Sequence, residues 1–122
     1  EKEVLDEISG FPHPILVHWY SSEAYLEGYL DLGCFFTVGP DLFQNPAVRN
    51  VAEKVPLEKL MVESDGIEGI SWALGRAVRP EESSGIQKSV SDEIAAIKGC
   101  PSKLAEEAVF ENAKRFVQFS QL

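Results

Sequence analysis

Three short apolar runs separated by helix-length segments constrain this chain most, and the last of them, within Leu57–Gly66, is the most informative. Leu60-Met61-Val62 has the length of a strand buried on both faces, and it runs into two carboxylates, Glu63 and Asp65, and then Gly66. A carboxylate just past the C-terminal end of a buried strand sits where parallel α/β folds keep their chemistry. The first run, Ile15-Leu16-Val17, ends similarly in His18, followed by Trp19-Tyr20. Two strands that both end in a metal-ligating residue type point to a shared site more strongly than either alone.

The pattern along the chain supports parallel strands. Val4, Leu5 and Ile8 share a helical face, and Gly10 with Pro12 stops that helix. Opening on Glu1–Ile8, the chain reads as the last turns of a helix, and hence as a piece of a longer polypeptide. Pro14 suits the start of the first strand. Ser21-Ser22 and Glu23 predict a helix N-cap region, with Ala24, Tyr25, Tyr29, Leu30 and Leu32 as its apolar positions and Gly33 as its end. Cys34–Val38 is the second strand, closed by Gly39-Pro40. Residues Asp41 to Asn45 read as a loop, and Asn45-Pro46 as the cap and first turn of a helix burying Val48, Val51, Ala52 and Val55. Pro56 ends it.

Strand, helix, strand, helix, strand at this spacing implies a parallel α/β sheet with right-handed crossovers, and it fits part of a (β/α)8 barrel. Gly66 to Gly85 is expected to be a long loop on the active face, with at most a helical turn near Trp72–Leu74. Ile86 to Ile97 regains helical periodicity and ends at Gly99. After Pro101, a helical pair is expected over 104–110 and 112–119.

At 122 residues and 44% hydrophobic, the chain suits one small domain with a buried core. No apolar run approaches the roughly 20 residues that span a bilayer, so no membrane contact is expected. The formal charge of −9 argues against a general basic surface for phosphate backbones, though metal cations can supply local positive charge. Cys34 and Cys100 form no C-x-x-C pair; Cys34, in an apolar run, reads as a free buried thiol. Two reduced cysteines suggest the cytoplasm.

The bland alternatives are specific. His18 could be a strand-end histidine hydrogen-bonded within a packed protein, and Glu63 with Asp65 could simply cap the following loop. His13, before the first strand, belongs at the opposite end and receives no catalytic role. His nitrogen with Asp oxygen suits a hydrolytic divalent ion such as Zn, Mn or Mg. A catalytic zinc needs about three protein ligands, and the chain has two histidines and no H-x-H.

Four segments carry a family resemblance. His18-Trp19-Tyr20-Ser21-Ser22 resembles the H-C/W-F-S-G segment of the TatD family of metal-dependent hydrolases. Leu32–Val38 is similar to that family's next strand, and Val55–Gly66 to its I-P-L-D-R-L-L-L-E-T-D-A/G segment. Glu111–Phe116 resembles its closing x-N-A/T-x-R-L/F-F helix. The resemblance spans essentially the whole chain. It implies the C-terminal part, about three βα units, of a TIM-type (β/α)8 barrel: residues 1–122 as strands six to eight with the closing helices. It further implies that His18 ligates a divalent metal, and that Asp65 contacts the metal site and the attacking water. Glu63 would then support the ligands from behind. The complete enzyme would hold two metal ions and cleave DNA, or another phosphodiester, through metal-activated water. The family's first-strand H-x-H, mid-chain glutamate and fifth-strand histidine lie outside this chain, so these residues alone are expected to be inactive. The remainder of the barrel, or another copy, is expected to cover the outer sheet edges. Ser22 replaces the family's usual glycine, and the usual proline after the E-T-D-A segment is missing from Gly66-Ile67-Glu68. Arg76, Arg79 and Lys88 are candidate phosphate contacts, with solvated loop charge as the alternative. An amidohydrolase-like ester or amide hydrolase, and an inactive fragment or regulatory homologue, are the competing functional readings.

Overall fold

The computed structural model describes residues 1–64 and 66–120, with side chains through Gln118. Its sheet consists of β1 (Leu16–Val17), β2 (Phe35–Val38) and β3 (Leu60–Val62), all parallel, in the order β1-β2-β3. Leu16 pairs with Phe35, and Phe36, Thr37 and Val38 with Leu60, Met61 and Val62. Pairing continues one residue past the assigned strands: Phe35 N–H donates to Ile15 O at 2.8 Å and Glu63 N–H to Val38 O at 3.1 Å. β2 is central and buried along its whole length, as its unbroken apolar run demands. The expected adjacency, direction and order of the strands are all observed.

The first helix, α1, spans Lys2–Ile8. The next, α2 (Leu26–Asp31), begins later than Ser21-Ser22 predicted. Ser22 Oγ does accept from Ala24 N–H at 3.2 Å, but this closes a local turn rather than capping the helix. α3 (Pro46–Lys54) starts as expected, with Asn45 Oδ1 accepting from Ala47 N–H at 3.0 Å and Pro46 in the first turn. The loop expected before it is a 3-10 turn, Pro40–Phe43, because buried Leu42 anchors it to the core.

Two expectations need correction. The stretch after Gly66 is not a loop but opens with α4 (Gly66–Leu74), whose Ile67, Ile70 and Ala73 recur every three residues and turn one face inward. The glycines at 66 and 69 obscured that short period. Gly75, at φ 68, lets Arg76 N–H reach Ser71 O and end the helix. Beyond it, Val78 is buried and its N–H donates to Ser71 Oγ. A 3-10 turn, Pro80–Glu82, leads into α5 (Ser83–Lys98), which stops at Gly99. The expected pair of final helices is one continuous helix, α6 (Ser102–Ser120). Nothing at Glu111 breaks it, since neither glycine nor proline interrupts that stretch.

The main core gathers Phe36, Val38, Leu60, Leu26, Leu42 and Val51 with Val90 and Ile94 of α5. Phe35 meets Phe116 of α6 edge-on at 5.5 Å. Burying a large apolar side chain contributes about 1.5–3 kcal/mol, so these few residues set the sheet's position and fix where its C-terminal ends point. Among the described residues, no helix is long and apolar enough to cross a membrane. Cys34 is buried and Cys100 half-buried, and both are free thiols.

Candidate metal centre

The three strands present one polar residue each to a common cluster at their C-terminal side. His18 follows β1, Thr37 lies within β2 and Glu63 follows β3. The parallel register makes them neighbours. His18 Nδ1 lies 2.7 Å from Glu63 Oε2. The Thr37 hydroxyl donates to Glu63 Oε1 and accepts from Trp19 N–H at 3.1 Å. It is also 3.4 Å from His18 Nδ1.

These contacts determine the proton inventory. A threonine hydroxyl has one proton, and Thr37 gives it to Glu63. Glu63 accepts on both oxygens, so the short Nδ1 contact makes Nδ1 the donor of the histidine ring. A metal-ligating histidine is held in this way, with its second nitrogen donating to a carboxylate. Glu63 is mostly buried, with 12% of its side chain accessible, whereas His18 is 51% accessible. The carboxylate is thus embedded and the imidazole faces outward.

The backbone after His18 is unusual. Trp19 has φ 50, a left-handed conformation that costs a bulky residue of order 1–3 kcal/mol. Its N–H bond to Thr37 and its half-buried indole hold it there. Gly39 makes room for that indole: a Cβ at Gly39 would collide with Trp19 Nε1 and crowd Glu63 O. Trp19 stacks on His18 with ring centroids 6.1 Å apart and meets Trp72 of α4 at 5.6 Å.

Of the predicted site residues, His18 and Glu63 come together. Asp65 lies outside the described residues. Among those described, no group of three or more His, Cys, Asp or Glu side chains could hold a metal ion. His13 precedes β1, at the strands' opposite end, and packs against Phe11. Arg76 pairs with Glu82 at 3.3 Å and Lys88 with Asp92 at 3.2 Å, which engages both charges locally. Glu82 also accepts from Arg79 N–H, and that bond, with Arg76 beside it, lowers its carboxyl pKa.

Thr37 is the functional-site residue that sequence reasoning missed. Its signal was present, as the single hydroxyl inside the apolar run Cys34–Val38, where a buried polar group must find a partner. No curated protein matches the chain. The family model described as TatD related DNase matches residues 2–118 of the 122. That span takes in all three strands, both members of the His18–Glu63 pair and most of the closing helix, and the chain belongs to the TatD family of metal-dependent hydrolases.

Proposed function

We propose that the complete protein is a divalent-metal-dependent hydrolase of phosphodiester bonds in DNA. In this reading the sheet forms strands six to eight of a (β/α)8 barrel, and the remainder of the barrel covers the outer edges of β1 and β3. The observation that carries the proposal is the 2.7 Å contact between His18 Nδ1 and Glu63 Oε2 at the C-terminal ends of parallel strands. It is the arrangement that orients Nε2 of a histidine toward a metal.

His18 would hold a metal through Nε2, and Asp65 would be the second ligand from this chain and the general base. Glu63 fixes the ring and its tautomer, and Thr37 fixes Glu63. His18 and Asp65 would hold Zn, Mn or Mg, two ions in the complete site, and the chemistry supplied there would be a water made acidic enough to attack phosphorus. Asp65 would accept the proton of that water. With a net charge of −9 the chain repels a polyanion, so cations at the site serve attraction as well as chemistry.

The test is cleavage of DNA and of a small phosphodiester by the full-length protein, after chelation and after adding back Mg, Mn or Zn. Cation-dependent cleavage is expected, with Asp65→Asn nearly inactive and its circular dichroism unchanged. A near wild-type rate for Asp65→Asn at saturating metal would overturn the role of Asp65. Hydrolysis of small esters or amides with phosphodiesters untouched would move the protein to the amidohydrolase-like reading.

A further inference from the structure

Trp19 carries two costs at one residue. Its backbone is left-handed at φ 50, and its indole Nε1 is buried with no hydrogen-bond partner among the described residues. Each feature opposes folding, and each calls for an explanation in a side chain so bulky. Core packing does not supply one, because the half-buried Trp19 lies outside the main core.

Gly39 shows where the indole has to be. At φ −110 and ψ −172 it has extended backbone that any residue adopts. Glycine therefore serves there for space alone, and the atom that fills the space is Trp19 Nε1. The indole, which follows β1, thus crosses the end of β2 and reaches a helix that follows β3. It stacks on His18 with the ring planes 18° apart, and it meets Trp72 at an angle of 38°. Trp72 belongs to α4, which begins at Gly66, next to Asp65 in the sequence. With 71% of its surface exposed, Trp72 contributes little to the packing of α4 itself.

His18 and Asp65 follow strands that do not pair with each other, since β2 lies between β1 and β3. Glu63 holds the imidazole at one atom, Nδ1. A contact at one ring atom sets the tautomer, whereas a flat neighbour packed on the ring sets its plane. We propose that Trp19 is a positioning residue for the metal centre. Its indole, seated by Gly39, sets the plane of the His18 imidazole and ties it through Trp72 to α4. The segments after β1 and β3 then keep a fixed spacing before any ion arrives. The proposal rests on the metal-dependent phosphodiester reading above and names what holds its two ligand segments together. Trp19 is not asked to touch the ion or the substrate.

The experiment is calorimetric titration of the full-length protein with Mn and with Zn, beside cleavage of a small phosphodiester. The variants are Gly39→Ala, Trp19→Leu and the two combined. Gly39→Ala suits the backbone and removes only the seat of the indole, so it should weaken metal binding about tenfold. Trp19→Leu should cost about as much. In the double variant the losses should not add, because the new methyl has no indole left to displace. Trp72→Leu, at an exposed position, should weaken metal binding several-fold, and Trp72→Phe should restore it. Near-UV circular dichroism without metal should lose the paired-indole signal in Gly39→Ala, and the far-UV spectrum checks the fold. Wild-type metal affinity in Gly39→Ala or Trp19→Leu would overturn the positioning role. So would a Gly39→Ala loss that persists beside Trp19→Leu, since it would run through the crowded Glu63 O instead. Unchanged affinity in Trp72→Leu would overturn the tie to α4. The expected metal losses in a protein that leaves phosphodiesters intact would sink the phosphodiester reading alone. Metal-dependent cleavage that all these variants retain in full would sink the positioning role alone.

Discussion

The two ends of β3 handle polar groups in opposite ways. Before its first residue, the helix α6 reaches over with Asn112, which is 3% exposed. Asn112 Nδ2 donates to Leu57 O at 2.7 Å and to Leu60 O at 2.8 Å, while its Oδ1 accepts from Arg115 Nη2 at 2.6 Å. Arg115 also donates to Glu58 O at 2.7 Å. Each polar atom of the Asn112 side chain is engaged. At the other end, Glu63, Thr37 and His18 form an equally connected network, but one that includes a carboxylate and an imidazole, with the imidazole turned outward. The difference teaches that connection alone does not mark a functional site. What separates the two ends is titratable chemistry at an accessible position, beside a strained tryptophan backbone.

The strongest way to break this comparison is Asn112→Ala. It leaves the Leu57 and Leu60 carbonyls without their partner and opens a small void. We expect a loss of about 3 kcal/mol in urea unfolding, with activity per folded molecule unchanged. A variant that keeps its stability but loses turnover would move this end of the strand into the functional site.

Glu63→Gln probes the opposite end. Metal affinity or turnover should fall about 10–100-fold, while unfolding free energy changes by less than about 1 kcal/mol. Should this variant unfold like Asn112→Ala, the two ends would not differ in kind. Thr37→Val is a smaller lesion. It removes the hydroxyl at nearly constant shape and deprives Trp19 N–H and Glu63 Oε1 of their partner. About 1–2 kcal/mol of stability should be lost, together with a several-fold drop in metal affinity. Thr37→Ser should restore the metal affinity, which a merely space-filling role would not allow.

How much of this was legible in the sequence depends on the range of the physics involved. The strands were legible because Ile15–Val17, Cys34–Val38 and Leu60–Val62 are apolar runs of the right length with clear punctuation. The pairing of His18 with Glu63 followed from their shared position at strand ends, once the strands were parallel and adjacent. Helix α4 was hidden because two glycines sit within a nine-residue period. The match of Asn112 and Arg115 to a family motif identified them without a role. Their carbonyl partners lie more than 50 residues away in sequence, and no local pattern encodes such a clamp. Asp41 was read as part of a loop, because burial of a carboxylate is decided by what packs over it.

Asp41 gives the finest test, since it belongs to the titratable end yet opposes folding there. Its ordinary carboxyl pKa is 3.8, and burial raises it in the folded chain. The folded protein therefore keeps this proton at pH values where the unfolded chain has lost it. The sign follows from linkage. The stabilising contribution is complete below about pH 3.8 and fades as pH rises through the folded value. Above it, the charged carboxylate with its unpartnered Oδ1 is a burden on the native state. Asn at this position has nearly the same shape and does not titrate. Asp41→Asn should accordingly gain on the wild-type protein as pH rises from about 4, and hold that gain near pH 7. Parallel urea titrations at the two pH values read the difference directly. A gap that stays constant or narrows with rising pH would mean that Asp41 is solvated or paired in solution.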